Sequence, residues 1–281
     1  MPPLLPLLPG RCWNCGDRRD FENCVNCQLT REEDAQVHDE LRQMVGADIS
    51  LLDAARQASH GGRRLLALKL ATAAAASNED GRGEVARALR IWLLSAIGEP
   101  EHALDDSRAW VEHTQDPSAI AWASYGQQLQ SSGMPGGAAD AYEKSLRKQS
   151  KQWNIRARRA QLLLELRRGG QAQDEAIKVL VQSGVDDTTV AIASAVAEKL
   201  CDHFEGEYRN DEINRLLDYA GEYVDRSPTL LAHRARLAAQ QGDLSTAKRE
   251  LKKARRLDPE LEIYERVERA MKPARSSWWR W

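Results

Sequence analysis

The chain has 281 residues, 42% hydrophobic and 29% charged, an ordinary soluble composition able to bury a core as an elongated array or as one to two domains. Its formal net charge is only −2, so bulk charge selects no partner class. The longest weakly polar run, Leu65 to Ser77, is interrupted by Lys69 and falls short of the roughly 20 apolar residues a bilayer needs, which excludes it as a membrane span.

Residues 1–10 form a Pro/Leu leader with four prolines and no basic start, so they do not read as a signal peptide. The expectation is a cytoplasmic, reducing setting, where clustered cysteines serve metals more often than disulfides. Residues 11–29 carry Cys12-Trp-Asn-Cys15, eight further residues, then Cys24-Val-Asn-Cys27. Each CxxC puts two thiolates on one tight turn, and two such turns complete a closed tetrahedral site of the structural kind. The module looks like a small zinc ribbon or paired zinc knuckle, with Zn2+ on Cys12, Cys15, Cys24 and Cys27; a redox dithiol is the competing reading. So short a segment cannot bury a core, so metal binding should drive its folding.

Residues 30–83 read as helices. Thr30-Arg-Glu-Glu33 is a capping box, Asp48 or Ser50 starts a second helix that ends near Gly61-Gly62, and Arg63 to Ser77 forms a third before the polar break Asn78 to Gly83. From Glu84 a repeat register can be followed, and it is plainest in Ala119 to Gln152. There Trp122, Tyr125, Gly126 and Leu129 precede Ala138 and Tyr142, with Gly133 at the turn. Large residues on a first helix need small ones, Gly126 and Ala138, where the second helix crosses close to it.

This stretch resembles a tetratricopeptide repeat (TPR), a unit of about 34 residues that folds as two antiparallel helices. Gly98, Ala103 and Trp110 fill the corresponding slots one unit earlier, and Gly242, Ala247, Leu251, Ala254 and Pro259 fill those of the last unit. Between them, Ala160, Leu163, Gly169-Gly170, Ala176 and Leu180 keep the pattern with about two extra residues. Asp187 to Tyr208 and Asp211 to Arg226 then read as a longer helix pair closed by Pro228, and Glu260 to Met271 as a solvating cap helix. The resemblance implies an all-α chain, a right-handed superhelix of TPR-like hairpins over residues 84–271 behind a small zinc-binding module.

It also implies a concave groove, lined by the first helix of each hairpin, that holds a peptide or helix of a partner. Mapped onto this sequence, its inward slots are Trp92, Gln127, Gln130, Arg158, Gln161, Arg236 and Gln240. The family's carboxylate clamp is not reproduced, since Ala123 and Ser124 stand where its polar residues would be. Lys248, Arg249, Lys252, Lys253, Arg255 and Arg256 put a basic face on the second helix of the last repeat, fit for phosphates or an acidic partner, or simply for solvent. Residues 272–281 end in Trp278, Trp279, Arg280 and Trp281, large amphipathic rings beside arginine that suit docking on a partner, on a membrane surface, on bases or on the chain's own repeats. Cys201 reads as core, and no nucleophile–base set, phosphate loop or HExxH motif is present. The expectation is therefore a non-enzymatic adaptor that binds other proteins. The alternative is a nucleic-acid-associated regulator that uses the zinc module and the basic helix.

Overall fold

A computed structural model describes residues 50–77, 82–182 and 184–272. The leader, the four zinc-module cysteines, the capping box at Thr30 and the Trp-rich tail at Trp278, Trp279, Arg280 and Trp281 lie outside the described residues. The described residues form helices and no strands. The chain divides into two compact units, one up to Ser150 and one from Lys151.

The first unit holds α1 (Leu51–His60), α2 (Arg64–Ser77), α3 (Gly83–Ala96), α4 (Pro100–His113), α5 (Ala119–Ser131) and α6 (Pro135–Lys148). The second holds α7 (Trp153–Glu165), α8 (Gly169–Leu180), α9 (Asp187–Gly206) and α10 (Asn210–Ala220), then a 3-10 turn (Gly221–Arg226). It is completed by α11 (Pro228–Gln240), α12 (Leu244–Leu257) and α13 (Ile263–Met271). Their starts follow local chemistry. The side chains of Ser50, Ser118, Asp186, Ser227 and Asp243 accept the N–H three residues on, while Pro100, Pro135 and Pro228 sit in the first turn, where a missing donor costs nothing.

One turn is used six times. Each hairpin reverses at a left-handed residue: Gly62, Gly98, Gly133, Arg167, Tyr208 or Gly242. In each, the next residue's N–H returns to a carbonyl five positions back, as from Met134 to Leu129 at 2.9 Å and from Arg168 to Leu163 at 2.8 Å. The first helix ends two residues before this position and the second begins two residues after it.

This corrects one expectation. The repeat from Trp153 has no two-residue insertion: Arg167, and not the Gly169-Gly170 pair, takes the left-handed position, and Gly169 opens α8. A second correction concerns Asp211 to Arg226. There the α-helix stops at Ala220, because Gly221 adopts a positive φ of 51°, and the chain continues as a 3-10 turn.

Within each unit, every helix packs on the next, and first helices also pack on first helices: α3 on α5, and α7 on α9. Small residues sit at the crossings as expected. Ala103, Ala138, Ala176 and Ala247 are fully buried, as is Ala172, which the sequence pattern does not single out, and a Cβ on Gly126 would lie 2.6 Å from the Tyr142 ring. In the second unit one apolar core runs from Ala157 to Val267. Cys201 lies inside it, where burial pushes its thiol up, away from the reactive thiolate.

Candidate partner-binding groove

The second unit carries an open groove of about 560 Å³ along α7 and α9. Leu164, Ala191, Ile192, Ala195 and Val196 make its apolar floor, and Gln161, Glu165, Thr188 and Lys199 its polar rim. Its geometry follows from helix period. On α9, Thr188, Ile192, Ala195, Lys199 and Asp202 recur at i, i+4, i+7, i+11 and i+14, so they share one face. Val190, Ala193, Ala197, Leu200, Cys201 and Phe204 face the core instead, and the buried Val196 lies between the core and the groove floor.

Two turns further along α9, the same face ends in charge. Asp202 and Glu205 meet the fully buried His233 of α11, with Nε2 3.3 Å from the Asp202 carboxylate and Nδ1 3.4 Å from that of Glu205. Arg266 of α13 donates to both acids, to Glu205 at 3.1 Å and to Asp202 at 3.2 Å. Arg236 adds its Nε 3.4 Å from Glu205 and also donates to Asn210 and Gln240. His233, ahead of Arg266, holds the Asp202 carboxyl below its usual range, and burial lowers the Arg236 guanidinium against the opposing pull of Glu205. Asp202, Glu205 and His233 form a donor set compact enough for a metal ion. Two arginines already balance its two carboxylates, so the arrangement is electrically complete as an ion-pair cluster.

Of the groove residues named from sequence, the structure brings Gln161 to the rim, where its side chain donates to Glu165 at 3.3 Å. Arg158 is half-buried on the same helix. Arg236 and Gln240 are brought together at 3.2 Å, but Arg236 is only 5% exposed and committed to the ion-pair cluster. In the first unit, Trp92 of α3 stands 43% exposed, Gln127 is half-buried, and Gln130 accepts from the Tyr142 hydroxyl at 3.0 Å. Sequence reasoning missed the α9 side of the groove and the pairing of Arg266 with α9. The five-position stripe from Thr188 to Asp202 was the available signal for the first; contacts spanning 61 and 64 residues leave none for the second.

All six basic-face residues of α12 are exposed. Arg249 pairs with Glu250, Lys253 with Asp225 and Glu250, and Arg255 with Glu268. Among the described residues, Lys248, Lys252 and Arg256, at i, i+4 and i+8, have no ion pair.

No protein-family model matches the chain, and no curated protein matches it. Among solved structures, the chain is similar to the one described as a functional characterization of Pseudomonas aeruginosa pilF. The two are 16% identical over 83% of this chain and 99% of that one, with a TM-score of 0.52. It is also similar to YrrB, described as a TPR protein with an unusual peptide-binding site (16% identity, 69% and 96% coverage, TM-score 0.48). A tetratricopeptide repeat protein from Parabacteroides merdae matches at 15% identity over 84% of this chain and all of that one, with a TM-score of 0.41. The fold is TPR-like. At these identities the likeness speaks to fold alone, with the pilF superposition carrying it. No described helix is long and apolar enough to cross a membrane.

Proposed function

We propose that this chain is a non-enzymatic, cytoplasmic protein–protein adaptor that holds a segment of a partner protein in the groove along α7 and α9. The observation that carries this reading is an exposed apolar floor, Ala191 and Ala195 among it, bordered by Gln161, Glu165, Thr188 and Lys199. Apolar clefts with a few polar groups at the border are the usual form of a binding site. The test is affinity capture of partners by the full chain and by Ala195→Arg, with circular dichroism to show an unchanged fold. Loss of specific partners from the variant supports the groove; identical partners in equal amounts remove it.

The zinc module on Cys12, Cys15, Cys24 and Cys27 belongs to this proposal as a structural element, and the Trp-rich tail as a second docking contact that gains from effective concentration. Zinc content of the purified chain, compared with Cys12→Ser/Cys15→Ser, tests the first. Partner capture by a chain truncated after Pro273 tests the second.

The second reading, a nucleic-acid-associated regulator, is favoured by one observation, the unpaired stripe Lys248, Lys252 and Arg256. It requires binding to RNA or DNA that weakens steeply as salt rises, and it falls if no such binding occurs at 50 mM salt.

A further inference from the structure

Four of the six hairpin turns place glycine at the left-handed position; the α7–α8 and α9–α10 turns place Arg167 and Tyr208 there, each at φ 59°. A side chain in this conformation crowds the following carbonyl and costs stability, so neither residue is chosen for the turn itself. Tyr208 is 90% exposed, and neither its ring nor its hydroxyl has a partner among the described residues. The two turns are neighbours. A Cβ on Gly169, two residues after Arg167, would lie 3.7 Å from the ring of His203, five residues before Tyr208.

The turns differ in charge. Arg167 and Arg168 are exposed and have no ion pair among the described residues, and Glu165, the nearest acid before them in sequence, lies on the groove rim with Gln161. Around Tyr208 the acids Glu207, Asp211 and Glu212 outnumber Arg209, which pairs with Glu207 at 3.2 Å and Glu212 at 3.4 Å. Arg215 reaches Glu212 only at 4.0 Å and is shared with Asp174.

We infer that this edge is where two copies of the chain associate, about a two-fold axis between the two turns. The axis lays Arg167 and Arg168 of each copy over Glu207 and Asp211 of the other, and each Tyr208 ring against the other copy's Arg167 guanidinium. A two-fold contact needs a surface complementary to itself, and adjacent patches of opposite sign meet that need. Tyrosine and arginine are among the residues that carry most energy at interface centres, and a guanidinium over a tyrosine ring adds cation–π attraction. The acids beside Tyr208 disfavour a nucleic-acid strand as the occupant, because its phosphates would face them. Arg167, Arg168 and Tyr208 do not line the groove, so the inference stands apart from the groove reading.

Sedimentation equilibrium of the full chain over a range of concentrations should give a mass that rises from 31.5 kDa toward twice that value. Tyr208→Gly should weaken association by about tenfold or more, since the substitution counts twice per dimer, while the urea midpoint rises because glycine relieves the strained turn. Loss of the contact is thereby separated from loss of the fold. Charge reversal is the sharper arm. Arg167→Glu/Arg168→Glu and Glu207→Arg/Asp211→Arg should each be monomeric alone and associate when mixed, because both halves of the contact are then complementary again. A monomer at every concentration overturns the inference, as does a dimer that both charge-reversed chains retain, or a mixture of the two that stays monomeric. Binding of a labelled single-stranded RNA that Arg167→Glu/Arg168→Glu abolishes would assign the edge to nucleic acid and overturn it too.

Discussion

The α5–α6 hairpin and the α9–α11–α13 end of the second unit solve one problem by opposite means. In the hairpin, shape does it. Gly126 leaves room for the fully buried Tyr142 ring, whose hydroxyl donates to Gln130 at 3.0 Å, and the Ser145 hydroxyl donates to the Ala119 carbonyl at 2.7 Å. At the far end, charge does it. Asp202, Glu205, His233, Arg236 and Arg266 come from three helices and add an ion-pair cluster to the apolar core that Ile263, Tyr264 and Val267 join. A fit made by shape leaves a pattern of large and small residues at fixed spacing in the sequence. A fit made by charge leaves only acids and bases that look like any other surface residues until the helices are in place.

The strongest way to break the comparison is to fill the space at Gly126. Gly126→Leu puts four carbons where even one would meet Tyr142 Cδ1 at 2.6 Å, with the Ala138 carbonyl at 3.3 Å behind it. Overpacking of this kind should cost about 3 kcal/mol, read as a lower urea midpoint with an unchanged slope. Adding Tyr142→Ala should recover part of the loss, because the two side chains compete for one volume.

Glu205→Gln is the corresponding break at the charged end. It keeps the shape and removes the carboxylate facing Arg236, whose guanidinium is buried, together with one of two acids on Arg266. A buried charge left without its partner is costly, but Asn210 and Gln240 still accept from Arg236, so about 2 kcal/mol is expected by urea unfolding. The same substitution should raise hydrogen exchange of the α13 amides while leaving those of α5 and α6 unchanged.

How far the fold was legible follows the same division. Gly98, Gly133 and Gly242 mark their turns in the sequence because glycine reaches positive φ without penalty, and all three sit there. The same rule misplaced the turn near residue 169. It credits the nearest glycines, whereas the six-fold repeat of one turn geometry holds its register and forces Arg167 to φ 59°. Arg167→Gly should therefore stabilise the second unit by about 1 kcal/mol, the strain of a left-handed non-glycine residue less glycine's larger unfolded-state entropy, measured by thermal or urea unfolding. Of the groove, Gln161 could be reached by counting repeat positions, but the longer α9 broke that count. From Arg167 to Tyr208 the interval is 41 residues, against 34 from Gly133 to Arg167, so α9 residues could not be assigned by analogy with the clear repeat.

Acid offers the gentlest separation of the two designs. The Asp202 carboxyl lies below its usual value of 3.8, first through His233 and then through Arg266. A group whose folded value is depressed contributes stability above its unfolded value and loses it as pH falls through the folded one. The Asp202 contribution is thus present at pH 5 and fades below about pH 4. Asp243, whose carboxylate caps α12 by accepting from the Thr246 N–H and the Ser245 hydroxyl, is lowered to about 2 and keeps its contribution further down. The hydrogen bonds from Tyr142 to Gln130 and from Ser145 to the Ala119 carbonyl involve no carboxylate, so acid has no direct handle on those two bonds. Hydrogen exchange between pH 5 and pH 3, corrected for intrinsic rates, should show α13 losing protection first, then α12, with the Tyr142 face of α6 unaffected by either step. Simultaneous loss in α13 and α6 would mean that the charged end is not an independent fastening.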